Sequence, residues 1–448
     1  MNTFINRALT LTTLTLTMIA CGDLLEPEPA QYISDQSVIV DRKSAEAALL
    51  GAYDKLQGYA TATLIAHELA ADNVVNYNNQ NKVVSDPTPA TSNGGFADIY
   101  SAINQVNFVI QQVPMVNDNF FTEADRNKFL GEAYFLRALF YFDLARTYGG
   151  AQLVLTPSAS AEAHAGVKRS SLEDTYAQVL TDLNTAESLL PEAIDRNRAN
   201  RYTVYALKTR FFLYTKQWEQ AEDYASRVIA RSASFALVKP YSRFFTEVNT
   251  TESIFELVYT TTDNSGFWTN WLSPADGGRH DYIPAREFVP LLLDPGVGGT
   301  RKSLIKQTAE GTWDLIQYGK QNGTSSLFIL RLAEQYLIRA EARARKATPD
   351  IKGAVDDLNA VKGRAEVPLI VYDPALTGAA LTRLVLDERR LELPFEGHRF
   401  GDVVRTGYAA EIFGAYNAKL KDPGRWVLPI PLSAILRDTD LEQNEAYK

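Results

Sequence analysis

FLGEAYFLRALFYFDLARTY, residues 129–148, is followed by Gly149-Gly150 and decides the fold. Phe129, Ala133, Leu136, Phe140 and Leu144 recur at helical spacing, and Leu130, Tyr134, Tyr141 and Ala145 form a second apolar stripe. Two stripes leave few positions for water, so the spacing predicts a helix buried nearly all round. A glycine at 149 or 150 can take the left-handed conformation that ends a helix, and AQLVL after it reads as a short extended run. A buried helix must be wrapped by others. The flanking sequence supplies them.

Amphipathic patterns predict helices over 44–56, 63–71, 97–113, 122–148 and 172–190. Arg201–Tyr214 and Trp218–Arg231 form a helical hairpin, with Phe212, Trp218, Ala221 and Ala225 where a tetratricopeptide repeat places its packing residues. A second hairpin reads as Leu327–Arg345 with Ile351–Arg364. Residues 232–326 separate the two, which excludes a simple tandem array. Arg331, Arg339 and Glu341 read as ion-pair formers on these helices. In Glu388–Arg399, where Glu388, Arg389, Arg390, Glu392, Glu396 and Arg399 crowd together, interlocked structural pairs are expected in place of a catalytic carboxylate pair.

Two stretches differ from this pattern. Asp72–Phe96, DNVVNYNNQNKVVSDPTPATSNGGF, is a loop by composition, with Tyr77 set among Asn73, Asn76, Asn78 and Asn79. After a predicted strand at Ser253–Thr261, the segment Thr262–Ala285 is rich in turn formers yet holds Phe267, Trp268, Trp271 and Tyr282. Tryptophan in a loop marks a contact surface, because its broad face gains much when a partner desolvates it. Trp313 lies in GTWDLIQY, a predicted strand. The candidate ligand-binding residues are therefore Trp268, Trp271 and Tyr77, with Asn76, Asn79 and Asn270 supplying polar groups and Trp313 next in line.

The N-terminus reads as an address. Ala8–Ala20 is a short apolar run behind Arg7, too short to span a bilayer, and it ends at Cys21, the single cysteine of 448 residues. This pattern predicts a signal peptide over 1–20 and a lipidated Cys21, with DLLEPEP as a stiff polar tether. A net charge of −9 argues against nucleic acid and favours a neutral ligand. The four histidines, 67, 164, 280 and 398, show no metal-ligand spacing, so no metal or cofactor is predicted.

Taken together, the Cys21 start, GEAYFLRALFYFDLARTYGG, SIFELVYT, LRLAEQYLIRAEARAR with DLNAVKGRAEVP, DERRLELPFEGHRFGDVVRTG, and VLPIP before LEQNEAY resemble the SusD/RagB family of Bacteroidetes outer-membrane nutrient-binding lipoproteins. The resemblance covers essentially the whole mature chain. It implies a mainly α fold, 21–448, in which tetratricopeptide-like hairpins scaffold an irregular ligand-binding region with a few short strands. It also implies a surface-exposed lipid anchor at the outer membrane, an oligosaccharide or polysaccharide cargo, and a SusC-like TonB-dependent transporter as partner. Ligand-binding loops are expected near 72–96 and 262–325. A binding protein is expected, not an enzyme; the competing reading is a protein-interaction scaffold or peptide-binding lipoprotein of the same complex. Cys21→Ala should leave an unprocessed precursor or release the protein from membranes, read by fractionation and intact mass. Unchanged mass and fractionation would remove the anchor.

Overall fold

The computed structural model describes residues 39–448 apart from 80–84, 93, 159–162 and 165. Cys21 and the segment before Ile39 lie outside the described residues, as does the side chain of Asn79. Among the described residues ten helices of seven residues or more carry the fold: α1 Arg42–Leu69, α2 Phe96–Gln112, α3 Glu123–Tyr148, α4 Leu172–Leu189, α5 Arg201–Tyr214, α6 Trp218–Ile229, α7 Leu332–Arg345, α8 Ile351–Arg364, α9 Gly378–Glu392 and α10 Arg399–Arg405. Six short strands of the described residues form three antiparallel pairs. Among the described residues no helix is long and apolar enough to cross a membrane.

α3 is the buried axis that its two apolar stripes predict; from Phe129 onward only Leu130, Tyr134 and Arg146 are partly exposed. Helices α1, α2 and α4 pack around it. Its buried charged groups are paired. Arg137 grips Asp182 of α4 with two bonds of 2.7 and 2.8 Å, Tyr53 donates to Glu132 at 2.7 Å, and Tyr59 donates to Asp143 at 3.0 Å. Such pairing is what lets charge sit in an apolar interior. Gly149, at φ 91°, ends the helix where a side chain would be strained.

Three expectations need correction. The predicted helices 44–56 and 63–71 are one helix, α1, because no glycine or proline in GYATATLIAHEL acts as a breaker. Leu327–Arg331 is not the start of the second hairpin but strand β6; it pairs with β2, Ser253–Leu257, and helix α7 begins only at Leu332. The β-prone LFIL run explains why. Residues 151–155 belong to no strand, although Val154 is tied to the Tyr141 hydroxyl in both directions at 2.8 Å.

The hairpins α5–α6 and α7–α8, distant in sequence, are neighbours in space. α6 packs on α7, bridged by Arg343 and Lys346 to Glu222 at 3.0 and 2.7 Å and by Arg345 over the Trp218 ring at 4.4 Å. Arg339 forks onto Asp357 of α8, and Glu341 pairs with Arg405 of α10.

Beneath these hairpins lies a buried ion network. Arg331 reaches Glu252 at 2.6 Å, Glu392 at 2.8 Å and Glu396 at 2.8 Å. Arg364 joins Glu252 to Glu392, and Arg301 joins Glu392 to Glu388. Burial would raise the Glu392 carboxyl, but three guanidiniums hold it below its ordinary range. Glu396 has less compensation, and burial pushes it up to about 7. The charged cluster is structural, as its alternation implied. Arg331→Met should cost about 3–5 kcal/mol by leaving three carboxylates short of a partner, measured by denaturant unfolding. A loss under about 1 kcal/mol would show that the network is dispensable.

Candidate functional site

The two irregular stretches singled out by composition meet. β1, Val74–Asn76, runs antiparallel to β3, Tyr282–Pro284, with Val75 opposite Ile283. Tyr77 N–H continues the ladder to the Asp281 carbonyl at 2.9 Å, and Ala285 N–H closes it on the Asn73 carbonyl at 2.8 Å. β3 lies against β5, Trp313–Leu315, which pairs with β4, Ile305–Gln307. Three segments far apart in sequence thus build one small platform.

Side chains lock it. Tyr77 stacks on His280 with ring centres 4.8 Å apart, and His280 Nε2 lies 3.3 Å from the Trp313 carbonyl and 3.4 Å from Asp314. Asp314 in turn accepts from Ser273 N–H at 2.7 Å. Beside the platform is a cavity of about 550 Å³ lined by Val75, Ile283, Glu287, Thr312, Trp313 and Tyr416, among others. Trp313 is half-buried; Tyr416 is 44% exposed. Both aromatic side chains border the cavity, and Arg286 and Glu287 are exposed beside it.

The candidate residues separate into distinct places. Trp313 lines the cavity and Tyr77 supports its floor through His280. Trp268 is half-buried and lines a different, smaller crevice with Thr61, Tyr259 and Phe267. Asn270 accepts from Arg279, and Asn76 accepts from Asn78 N–H at 3.0 Å, so both oxygens serve their own loops.

Trp271 is a correction. It is 0% exposed and offers no face to a ligand. Its ring lies within 5.6–6.4 Å of Phe267, Tyr282, Tyr318 and Phe395. Although it follows a turn-rich run, it sits under the loop as the apolar anchor on which the loop folds. Trp268 and Trp271 therefore offer no shared face to a ligand. Tyr416 was missed; its only signal is an aromatic in the turn-rich FGAYNAK. The Asp72–Phe96 stretch also divides. Its start enters the site, while Asp86, Pro89 and Ser92 bind the C-terminal segment at Lys419 and Arg425, Leu432 and Pro429.

Segments from opposite ends of the chain fix this platform. Arg390 donates to Asn73 Oδ1 at 2.9 Å and pairs with Asp72 at 3.0 Å, and Arg399 grips the same Asp72 at 2.8 Å. Burial opposes the Asp72 charge, yet the two guanidiniums keep its carboxyl below the ordinary range. Among the described residues no group of three or more His, Cys, Asp or Glu is placed to hold a metal ion.

Two family models match the chain: the SusD family over residues 301–447, and a family described as starch-binding and associating with the outer membrane over 25–213. The chain belongs to the SusD/RagB family. SusD-like protein P38 of Formosa agariphila is 27% identical across 96% of each chain. Starch-binding protein SusD of Bacteroides thetaiotaomicron is 30% identical over 38% of this chain and 32% of its own. A solved laminarin-binding SusD-like protein superposes with a TM-score of 0.76 at 23% identity, covering 91% of this chain and all of its own. A SusD superfamily protein from Bacteroides vulgatus gives 0.78 at 21% identity, covering 91% and 99%. These structures share their fold with this chain. Within that fold, Trp271 belongs to the packing of the loop. Trp271→Ala should cost about 3–5 kcal/mol of stability, read by thermal unfolding. A wild-type melting curve would return it to the candidate binding residues.

Proposed function

We propose that this protein is a glycan-binding lipoprotein of the outer membrane. It captures oligosaccharide or polysaccharide in the cavity between Trp313 and Tyr416 and hands it to a SusC-like TonB-dependent transporter. The observation that carries this reading is the pair of partly exposed aromatic rings flanking one cavity above a backbone-paired floor. Sugar rings present apolar C–H faces that stack on Trp and Tyr, and their hydroxyls need polar partners. The Thr312 and Tyr416 hydroxyls and the exposed Arg286 and Glu287 supply such partners. Arg286 and Glu287 offset one another in charge, which favours a neutral glycan.

The names of relatives agree, since one is starch-binding and one laminarin-binding. The family description of outer-membrane association agrees with an anchor at Cys21. Binding without turnover is favoured by the lining itself. Glu287 is the one carboxylate residue among those bordering the cavity, whereas a glycosidase uses a pair roughly 5–9.5 Å apart.

Trp313→Ala and Tyr416→Ala should each weaken glycan binding about thirtyfold, the effect of truncating a desolvated aromatic anchor, while the melting temperature holds. Titration calorimetry against starch and laminarin oligosaccharides measures this. Wild-type affinity in both variants would move the site to the Trp268 crevice. Release of reducing ends by the wild-type protein would make it an enzyme.

A further inference from the structure

Three exposed apolar side chains gather where the described chain begins. Phe120 is 87% exposed, Met115 62% and Val40 57%. Val40 immediately precedes α1, and the loop that carries Met115 and Phe120 joins α2 to α3. The two are stapled together: Arg42 N–H donates to Asp118 Oδ2 at 3.0 Å, and Arg42 Nε lies 3.3 Å from Asp125.

The loop is built to hold its tip outward. Arg126 donates to the carbonyls of Phe121 at 3.2 Å and Val113 at 2.9 Å, and its guanidinium stacks on the Phe121 ring at 4.3 Å. Phe121 is thereby buried, while Phe120, whose N–H is fixed to Asp118 Oδ1 at 2.8 Å, is turned into solvent. A rigid loop that exposes a phenylalanine gains nothing in folding from that residue. Its backbone is held in place before a partner arrives, so ordering the loop costs little on contact.

We propose that Val40, Met115 and Phe120 form a membrane-contact tip that enters the lipid surface beside the Cys21 anchor. The inference rests on the lipoprotein reading of Cys21. Residues 22–38 can span at most roughly 60 Å, and they join the described chain at this patch. Any lipid at Cys21 therefore keeps the patch within that distance of the bilayer, at high effective concentration. Lipid fits the patch better than a protein does. Three protruding side chains fall far short of the roughly 800 Å² per partner that a stable protein interface buries. Interfacial insertion, by contrast, asks only for a few apolar residues at the boundary of headgroup and acyl chain.

The test uses the full chain carrying Phe120→Cys, labelled with an environment-sensitive fluorophore and reconstituted into phosphatidylethanolamine–phosphatidylglycerol vesicles doped with nitroxide-labelled lipid. Val371→Cys, at a position 86% exposed in the loop between α8 and α9, is the reference. The probe at position 120 should be quenched several-fold more than the probe at 371, with a blue-shifted emission. Equal quenching at the two positions overturns the proposal. So does shielding of position 120 by added transporter without quenching by lipid, which would assign the tip to a protein contact. Intact mass separates the two readings. One label per chain means that the Cys21 thiol is blocked by acylation; two labels refute the anchor, and the difference between positions 120 and 371 still decides the tip.

Discussion

The fold depends on charge that has nowhere else to go. The side chains of Arg301, Arg331 and Arg364 are buried with those of Glu252, Glu388, Glu392 and Glu396, and they pair chiefly with one another. Removing two charges from water costs several kcal/mol per ion, so a network of this kind is stable only when every partner is present and in register. That requirement sets the relative positions of the start of strand β2, helix α8, helix α9 and the turn after it.

The same turn reaches the candidate binding site. Glu396 takes part in the network, and its neighbour Phe395 packs on Trp271 and Phe288, while its carbonyl accepts from the Tyr318 hydroxyl at 2.9 Å. Trp271 in turn carries the loop from which β3 emerges. On the other side, Arg390 and Arg399 flank the turn and hold Asp72 and Asn73 at the entry to β1. The cavity is therefore positioned from below by an apolar stack and from behind by two guanidiniums. Neither support lines the cavity, and Phe395 and both guanidiniums come from one charged motif.

Most of the scaffold was legible because it is periodic. α3, both hairpins and the ion-pairing role of Glu388–Arg399 follow from spacing and charge alternation, which are local properties. The site was legible only in part. Composition identified the two stretches that pair as β1 and β3, since dense turn formers are visible in sequence. Composition does not say which aromatic of a loop faces in and which faces out. Trp268 and Trp271 are three residues apart in similar surroundings, yet the second is the core of the loop because Phe395 and Tyr318, from two other segments, enclose it together with Tyr282 of its own stretch. Tyr416 escaped notice for the converse reason: its relevance comes wholly from lying across the cavity from Trp313. Leu327–Arg331 was misjudged because its strand partner lies some seventy residues upstream.

The β1–β3 pairing has a consequence in time. Val74 waits for Pro284, Asn73 for Arg390 across 317 positions, and Asp72 for Arg399 across 327. Contacts so distant along the chain form late, because loop closure must precede any gain from them. A chain lacking everything beyond residue 387 has the helices of both hairpins and the strands of the floor, yet it has neither the clamp on Asp72 nor Tyr416 at the border of the cavity. The candidate site is thus complete only once the last part of the chain is in place.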